Sequence, residues 1–247
     1  MWRTLERLRS DWNRYAETDP LWAIFTDPER KGHRWESGAF FETGRREVED
    51  LIRYIESLDV ELCHRRALDF GCGVGRLTRA LADHFDQVCG IDISPVMLEL
   101  ARGYNADVPN CTFLQNTDPS FRALPAGGFD LIYSNATLQH MPPRYSKRFL
   151  RGMAGQLRPG GLLIFQLPDR SRMGPGDRVR SVLYEEIYRR YILRTEPSMD
   201  MYGLPKSRVI ALLEKSGCRI LDVTPNENAG PEWTSYRYAF VREGLAP

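Results

Sequence analysis

The chain has 247 residues, of which 42% are hydrophobic and 27% charged, with a formal net charge of +1. That length and balance suit one large domain with an ordinary buried core, and they exclude a disordered chain. A near-neutral charge argues against a dedicated nucleic-acid binder, which usually carries a strong basic excess, and no apolar run approaches the ~18 residues of a membrane span. The opening residues, Met1-Trp2-Arg3-Thr4-Leu5-Glu6, lack the basic-then-apolar layout of a signal peptide. Five cysteines without CxxC spacing read as reduced thiols rather than a disulfide framework or a zinc site. A cytoplasmic protein is expected, with no metal, no nucleic-acid partner and no membrane.

Residues 1–45 read as an N-terminal helical cap. Leu5, Leu8, Trp12 and Tyr15 fall three or four apart, one stripe of a helix, and Asp19-Pro20 and Asp27-Pro28 punctuate the segment. Val48, Leu51, Ile52, Ile55 and Leu58 then predict an amphipathic helix that opens the main domain, residues 46–247. A strand over Arg66–Gly71 runs into a glycine-rich turn, and Leu77, Leu81 and Phe85 mark a helix. A second strand, Gln87–Asp92, precedes a helix with Ser94 as N-cap and Pro95 in its first turn. Cys111–Gln115 and Phe129–Ser134 follow as strands. The helix carrying Tyr145, Phe149, Met153 and Leu157 is stopped by Pro159-Gly160-Gly161, before the apolar strand Leu162–Leu167. The pattern breaks after Pro168 into a lid-like insertion at about 169–204, with a helical stretch near Val179–Leu193. A helix over Pro205–Ser216 and two strands, Arg219–Thr224 and Trp233–Val241, complete the chain. The expected fold is α/β: a Rossmann-like, mostly parallel, seven-stranded sheet with helices on both faces and the last strand antiparallel.

The strongest chemical signal is Leu68-Asp69-Phe70-Gly71-Cys72-Gly73-Val74-Gly75-Arg76, between a strand and a helix. Such a turn lets backbone approach a ligand and offers free N–H groups at a helix start. Glycines at 71, 73 and 75 depart from G-x-G-x-x-G, and the Lys-Ser/Thr pair of a phosphate loop is missing. Asp69 would repel phosphate and suit a cationic, amine-bearing ligand. Asp92 closes the second strand about twenty residues on, where an acid accepts hydrogen bonds from ribose hydroxyls. The plain alternative for both acids is a strand-end turn former.

Taken together, these residues resemble the class I S-adenosylmethionine-dependent methyltransferases, in the small-molecule branch with an LDxGCGxGxxT motif. Leu68–Thr78 matches that motif, Phe129-Asp130-Leu131-Ile132-Tyr133-Ser134 the fourth-strand FDxIxS motif, and Leu157-Arg158-Pro159-Gly160-Gly161 the LxPGG before strand five. The resemblance covers about 100 residues from Arg66 to Pro168. It implies S-adenosylmethionine as cofactor, held by Asp69, Gly71, Cys72, Gly73, Gly75, Asp92, Ile93, Met97, Ser134 and Asn135. The family's carboxylate after strand three meets Thr117 here, so Asn116, Thr117 and Asp118 are all candidates for the adenine contact. Tyr15, Trp22, Trp35, Met199 and Tyr202 are candidates for the substrate pocket and lid.

His140, after strand four, is the candidate catalytic base, with an ordering role for its loop as the alternative. Ser134-Asn135-Ala136-Thr137 lacks both the Pro-Cys of cytosine chemistry and the Asn/Asp-Pro-Pro-Tyr signature of exocyclic-amine and glutamine methyltransferases, which disfavours nucleic-acid bases as substrate. The acceptor is therefore expected to be a small molecule methylated on oxygen or nitrogen. Seven arginines in the insertion either recruit an anionic acceptor or form a solvated helix face. A protein or RNA acceptor, or a non-catalytic binding partner, are the other readings.

Overall fold

The computed structural model describes residues 4–122, 124, 128–172, 174, 197 and 199–244. The helix expected near Val179–Leu193 and arginines 178, 180, 189, 190 and 194 lie outside these residues. Seven strands form one sheet in the order β3-β2-β1-β4-β5-β7-β6: β1 Arg66–Phe70, β2 Gln87–Asp92, β3 Cys111–Gln115, β4 Phe129–Ser134, β5 Leu157–Ser171, β6 Cys218–Pro225 and β7 Trp233–Arg242. Neighbours from β3 to β5 are parallel, and β7 runs antiparallel to both β5 and β6. The strand order reverses between β1 and β4, which opens a crevice above their carboxyl ends.

Helices cover both faces. On one side α3 (Ser37–Glu56) and α4 (Arg76–Leu81) pack Val48, Leu51, Ile55, Leu77 and Leu81 against Ala67, Leu131, Ile164 and Ala239. On the other, α6 (Pro143–Gln156) and α7 (Lys206–Glu214) bury Phe149, Leu150, Met153, Val209 and Leu213 against Leu68, Ile132, Leu163 and Phe240. The cap helices α1 (Leu5–Thr18) and α2 (Pro20–Ile24) bury Tyr15, Leu21 and Ala23 with Phe40, Val74 and Met97, the last on α5 (Pro95–Tyr104). The cap thereby sits on the glycine turn. Pro20 opens α2 and Pro28 opens a short 3₁₀ turn, so both Asp-Pro pairs punctuate as expected.

Two elements differ from the sequence reading. The helix predicted from Val48 begins at Ser37, and its buried stripe runs Phe40, Gly44, Val48, Leu51, Ile55. The apolar pattern is masked at Gly44, and the Glu36 carboxylate caps the start by accepting from Gly38 and Ala39 N–H. The boundary at 45/46 therefore falls inside one helix. Strand β5 is longer than Leu162–Leu167, because Leu157 already pairs with Phe129 and Ser171 still pairs with Trp233.

Gly44 sets the α3–α4 approach: a Cβ there would lie 2.5 Å from the Arg76 carbonyl oxygen. Gly44→Ala gains about 1 kcal/mol of helix propensity. Forcing the helices apart costs typically ~1–3 kcal/mol, so overpacking prevails. Urea denaturation is expected to show the variant less stable than the parent.

Candidate active site

A cavity of about 890 Å³ opens at the carboxyl edge of the sheet. Gly71 and Gly73 line it from the turn after β1, Asp92 and Ile93 from the end of β2, and Asn116 from the end of β3. Asn135, Ala136, Thr137, Gln139 and His140 line it from the loop after β4. Met97 of α5 and Met199 complete the expected residues that it gathers.

The turn is held from both flanks. Gly71 and Gly73 have φ of +81° and +53°, a region that favours glycine. A Cβ on Gly71 would run into the Thr137 side chain, and one on Gly73 into Ile24 of α2. The Asp92 carboxylate accepts from Gly73 N–H at 3.0 Å and Ser94 N–H at 2.8 Å, joining the turn to the N-cap of α5. Burial pushes the Asp92 carboxyl up, against the Ser94 and Gly73 amides that favour its ionised form. The Asn116 side-chain Nδ2 is buried without a hydrogen-bond partner. In a cavity lined by Asp92 and glycine backbone, that orphan donor is a position that awaits an acceptor atom.

The other expected residues stand elsewhere. Asp69 does not line the cavity: it is buried behind the turn and accepts from the Thr78 hydroxyl at 2.7 Å. Burial pushes its carboxyl up to about 7, more than the Thr78 bond lowers it. Cys72 packs with Leu98, Ala101 and Phe113, and burial pushes its thiol well above the usual range. Gly75 caps α4. Ser134 donates to the Phe70 carbonyl at 3.0 Å. Thr117 is exposed, and Asp118 turns away to Ser120. Of the aromatic candidates, Tyr15 donates to the Pro197 carbonyl, Trp22 to that of Asp27 and Trp35 to that of Phe25. Trp12, Ile24 and Phe25 line the cavity in their place, and Met201 does so beside Tyr202.

Sequence reasoning missed a polar network. Glu47 of α3 accepts from Arg76 at 2.7 Å, Tyr133 at 3.0 Å and Asn135 at 2.6 Å. Gln166, at the centre of β5, donates to Gln139 at 3.1 Å and Ser235 at 2.7 Å, and its Oε1 accepts from Ala136 N–H. Ala136 has φ +55°, strain that this bond helps to hold. His140 Nδ1 lies 3.0 Å from the Asp200 carbonyl oxygen, and its Nε2 lies 3.3 Å from Gln139 Nε2. Gln166 was the legible signal, the one polar residue in the apolar run Leu162–Leu167. Glu47 was hidden among the alternating charges of an exposed helix face.

The fold is that of the class I S-adenosylmethionine-dependent methyltransferases. Residues 67–161 match the family described as Methyltransferase domain. A trans-aconitate 2-methyltransferase of Enterobacter sp. (strain 638) is 32% identical over 62% of this chain and 56% of its own length. A second, from Deinococcus radiodurans, is 38% identical over 47% of this chain and 43% of its own length. The chain thus spans about half the length of these relatives. A ubiquinone biosynthesis O-methyltransferase of Coxiella burnetii is 28% identical, with 70% and 71% covered. The magnesium protoporphyrin IX methyltransferase of Synechocystis, solved with S-adenosylhomocysteine, has a TM-score of 0.64 at 18% identity, covering 97% of this chain and all of that one. That likeness establishes the fold.

The raised Asp69 pKa has a testable sign. The protonated carboxyl is the form favoured in the folded state, so its contribution is complete below about 3.8 and is lost as pH rises through about 7. The stability of Asp69→Asn relative to the parent is expected to increase from pH 4 to pH 8. Urea denaturation across that range checks it; a difference independent of pH would contradict the shift.

Proposed function

We propose that the chain transfers the methyl group of S-adenosylmethionine to an oxygen or nitrogen of a small-molecule acceptor. The observation that carries this reading is that Gly71, Asp92, Asn116 and His140 line one cavity, about 890 Å³ in volume. That volume lies in the upper part of the ~300–1,000 Å³ range of small-molecule sites. The names of the relatives, an O-methyltransferase of ubiquinone biosynthesis and trans-aconitate 2-methyltransferase, support a small acceptor and favour oxygen. Five free cysteines support a reducing, cytoplasmic setting.

The residues divide the work. Each Asp92 carboxylate oxygen accepts one backbone N–H and retains a lone pair for a ribose hydroxyl. Asn116 Nδ2 offers its donor to an adenine ring nitrogen; its burial without a partner supports Asn116 for this contact, whereas Thr117 is exposed and Asp118 bonds Ser120. The backbone of the glycine turn and the loop at Asn135 hold the methionine end. When bound, S-adenosylmethionine supplies a methyl carbon on a sulfonium that needs no further activation. The protein aligns the nucleophile with it, an effect worth on the order of 7–11 kcal/mol, and excludes water with Leu8, Trp12, Met199 and Met201.

His140 acts as base at Nε2. Its Nδ1 faces the Asp200 carbonyl, so Nδ1 carries the hydrogen, and the Nε2 lone pair, which accepts from the Gln139 side-chain amide at 3.3 Å, exchanges that bond for the proton of the acceptor. Trp12 stands edge-on to the ring at 5.5 Å and limits its tilt.

Two variants test this reading. Asp92→Ala is expected to weaken S-adenosylmethionine binding by about 1.5–3 kcal/mol in calorimetry. Unchanged affinity in a folded variant would remove Asp92 from the ribose site. His140→Ala is expected to lower turnover by about 10²–10⁴-fold and abolish the acidic limb of its pH profile, with cofactor affinity preserved. A loss below about tenfold with the limb intact would assign His140 to loop order alone.

A further inference from the structure

Arg237 is in β7, directly opposite Gln166 of β5 and Thr224 of β6. Its side chain lines the cavity. The guanidinium carbon lies 3.3 Å from the centroid of the Tyr54 ring, and Nε is buried without a hydrogen-bond partner. The other two cavity arginines are committed: Arg76 to Glu47 at 2.7 Å and Arg46 to Glu42 at 3.0 Å. Among the described residues no carboxylate stands within ion-pair distance of Arg237. The acid nearest in register, Asp222, opposite Ala239, accepts instead from the Tyr54 hydroxyl at 2.6 Å.

This arrangement is specific. An arginine stacked on an aromatic face keeps its plane fixed and its in-plane N–H groups available, the geometry that receives a carboxylate through two parallel bonds. A buried guanidinium nitrogen without a partner is otherwise a cost with no return in stability. The cofactor's own carboxylate belongs with the glycine turn after β1, and β7 is three strand steps from β1, about 14 Å at ~4.8 Å each. Glu227 lines the same cavity, in the loop that Asn228 ties to Asn135 Oδ1 at 3.1 Å. Its charge weighs against a polyanion at that end.

We propose that Arg237, held flat by Tyr54, binds a carboxylate of the methyl acceptor, which is therefore a small organic acid. This rests on the methyl-transfer reading, and the carboxylate is the handle rather than the methylated atom.

The test uses the full chain saturated with S-adenosylhomocysteine. Three acids, 4-hydroxybenzoate, phenylacetate and hexanoate, are each compared with the corresponding methyl ester by calorimetry and thermal shift. At least one acid is expected to bind, with its ester at least tenfold weaker. Arg237→Gln is expected to weaken that acid at least tenfold, and Arg237→Lys, which keeps the charge without the planar fork, to fall between. S-adenosylhomocysteine affinity is expected to stay within threefold in both. Acids that fail to bind the parent, or esters that bind equally, would overturn the proposal. Loss of S-adenosylhomocysteine binding in Arg237→Gln with acid binding retained would also overturn it, and assign Arg237 to the cofactor. Failure of S-adenosylhomocysteine to bind the parent would instead defeat the methyl-transfer reading.

Discussion

The Glu47 carboxylate ties together the elements that shape the site. It is on α3, accepts from Arg76 at the start of α4, and accepts from Tyr133 and Asn135 at the end of β4. The Arg76 side chain is 6% exposed and that of Glu47 21%. A pair so enclosed contributes little net stability when intact. Removal of one partner, however, costs typically ~3–5 kcal/mol, because the other charge is left buried. Its value here is geometric. It fixes the helix before the sheet against the start of α4, which follows the turn after β1, and against the end of β4. Gly44 allows the approach by leaving room for the Arg76 backbone.

Asp92 does the same on the other flank. One carboxylate joins the glycine turn to the start of α5, so the side chain proposed to hold ribose also sets the shape of the turn. The plain reading of Asp92 as a turn former and the functional one therefore describe the same bonds. Asp69 separates the two readings. Buried behind the turn with Thr78, it supports the loop from within the core, and burial brings its carboxyl close to neutrality.

The loop after β4 links these supports to the proposed chemistry. Gln166 reaches across from β5 to hold Ala136 and Gln139, and Gln139 neighbours His140 in space as well as in sequence. The Tyr202 amide donates to the Gln139 carbonyl at 2.7 Å, and the Asp200 carbonyl meets His140. The segment at 199–202 thus orders the candidate base through backbone groups. That explains why Met199 and Met201 face the cavity while Tyr202 does not. Backbone pairing sets which side chains of the segment point inward, and aromatic character has no part in it.

Strand and helix order were legible in the sequence because alternating β and α periods and the glycine turn are local signals. β2, β3 and β4 coincide with the strands predicted from apolar runs. The glycines, Asp92 and His140 were legible because a turn after a strand and an acid at a strand end carry their meaning within a few residues. The early start of α3 was not, since a glycine at a helix–helix contact interrupts the apolar stripe. Nor were Glu47, Gln139 and Arg237. Each lies on an element whose local pattern is ordinary, and each gains its role from partners 27 to 183 residues away, such as Arg76, Gln166 and Tyr54. The sequence by itself determined the class of fold and the residues that mark its cofactor turn. Only the tertiary structure decided which side chains enter the cavity, because that depends on strand register, on helix approach and on which charges find partners across the sheet.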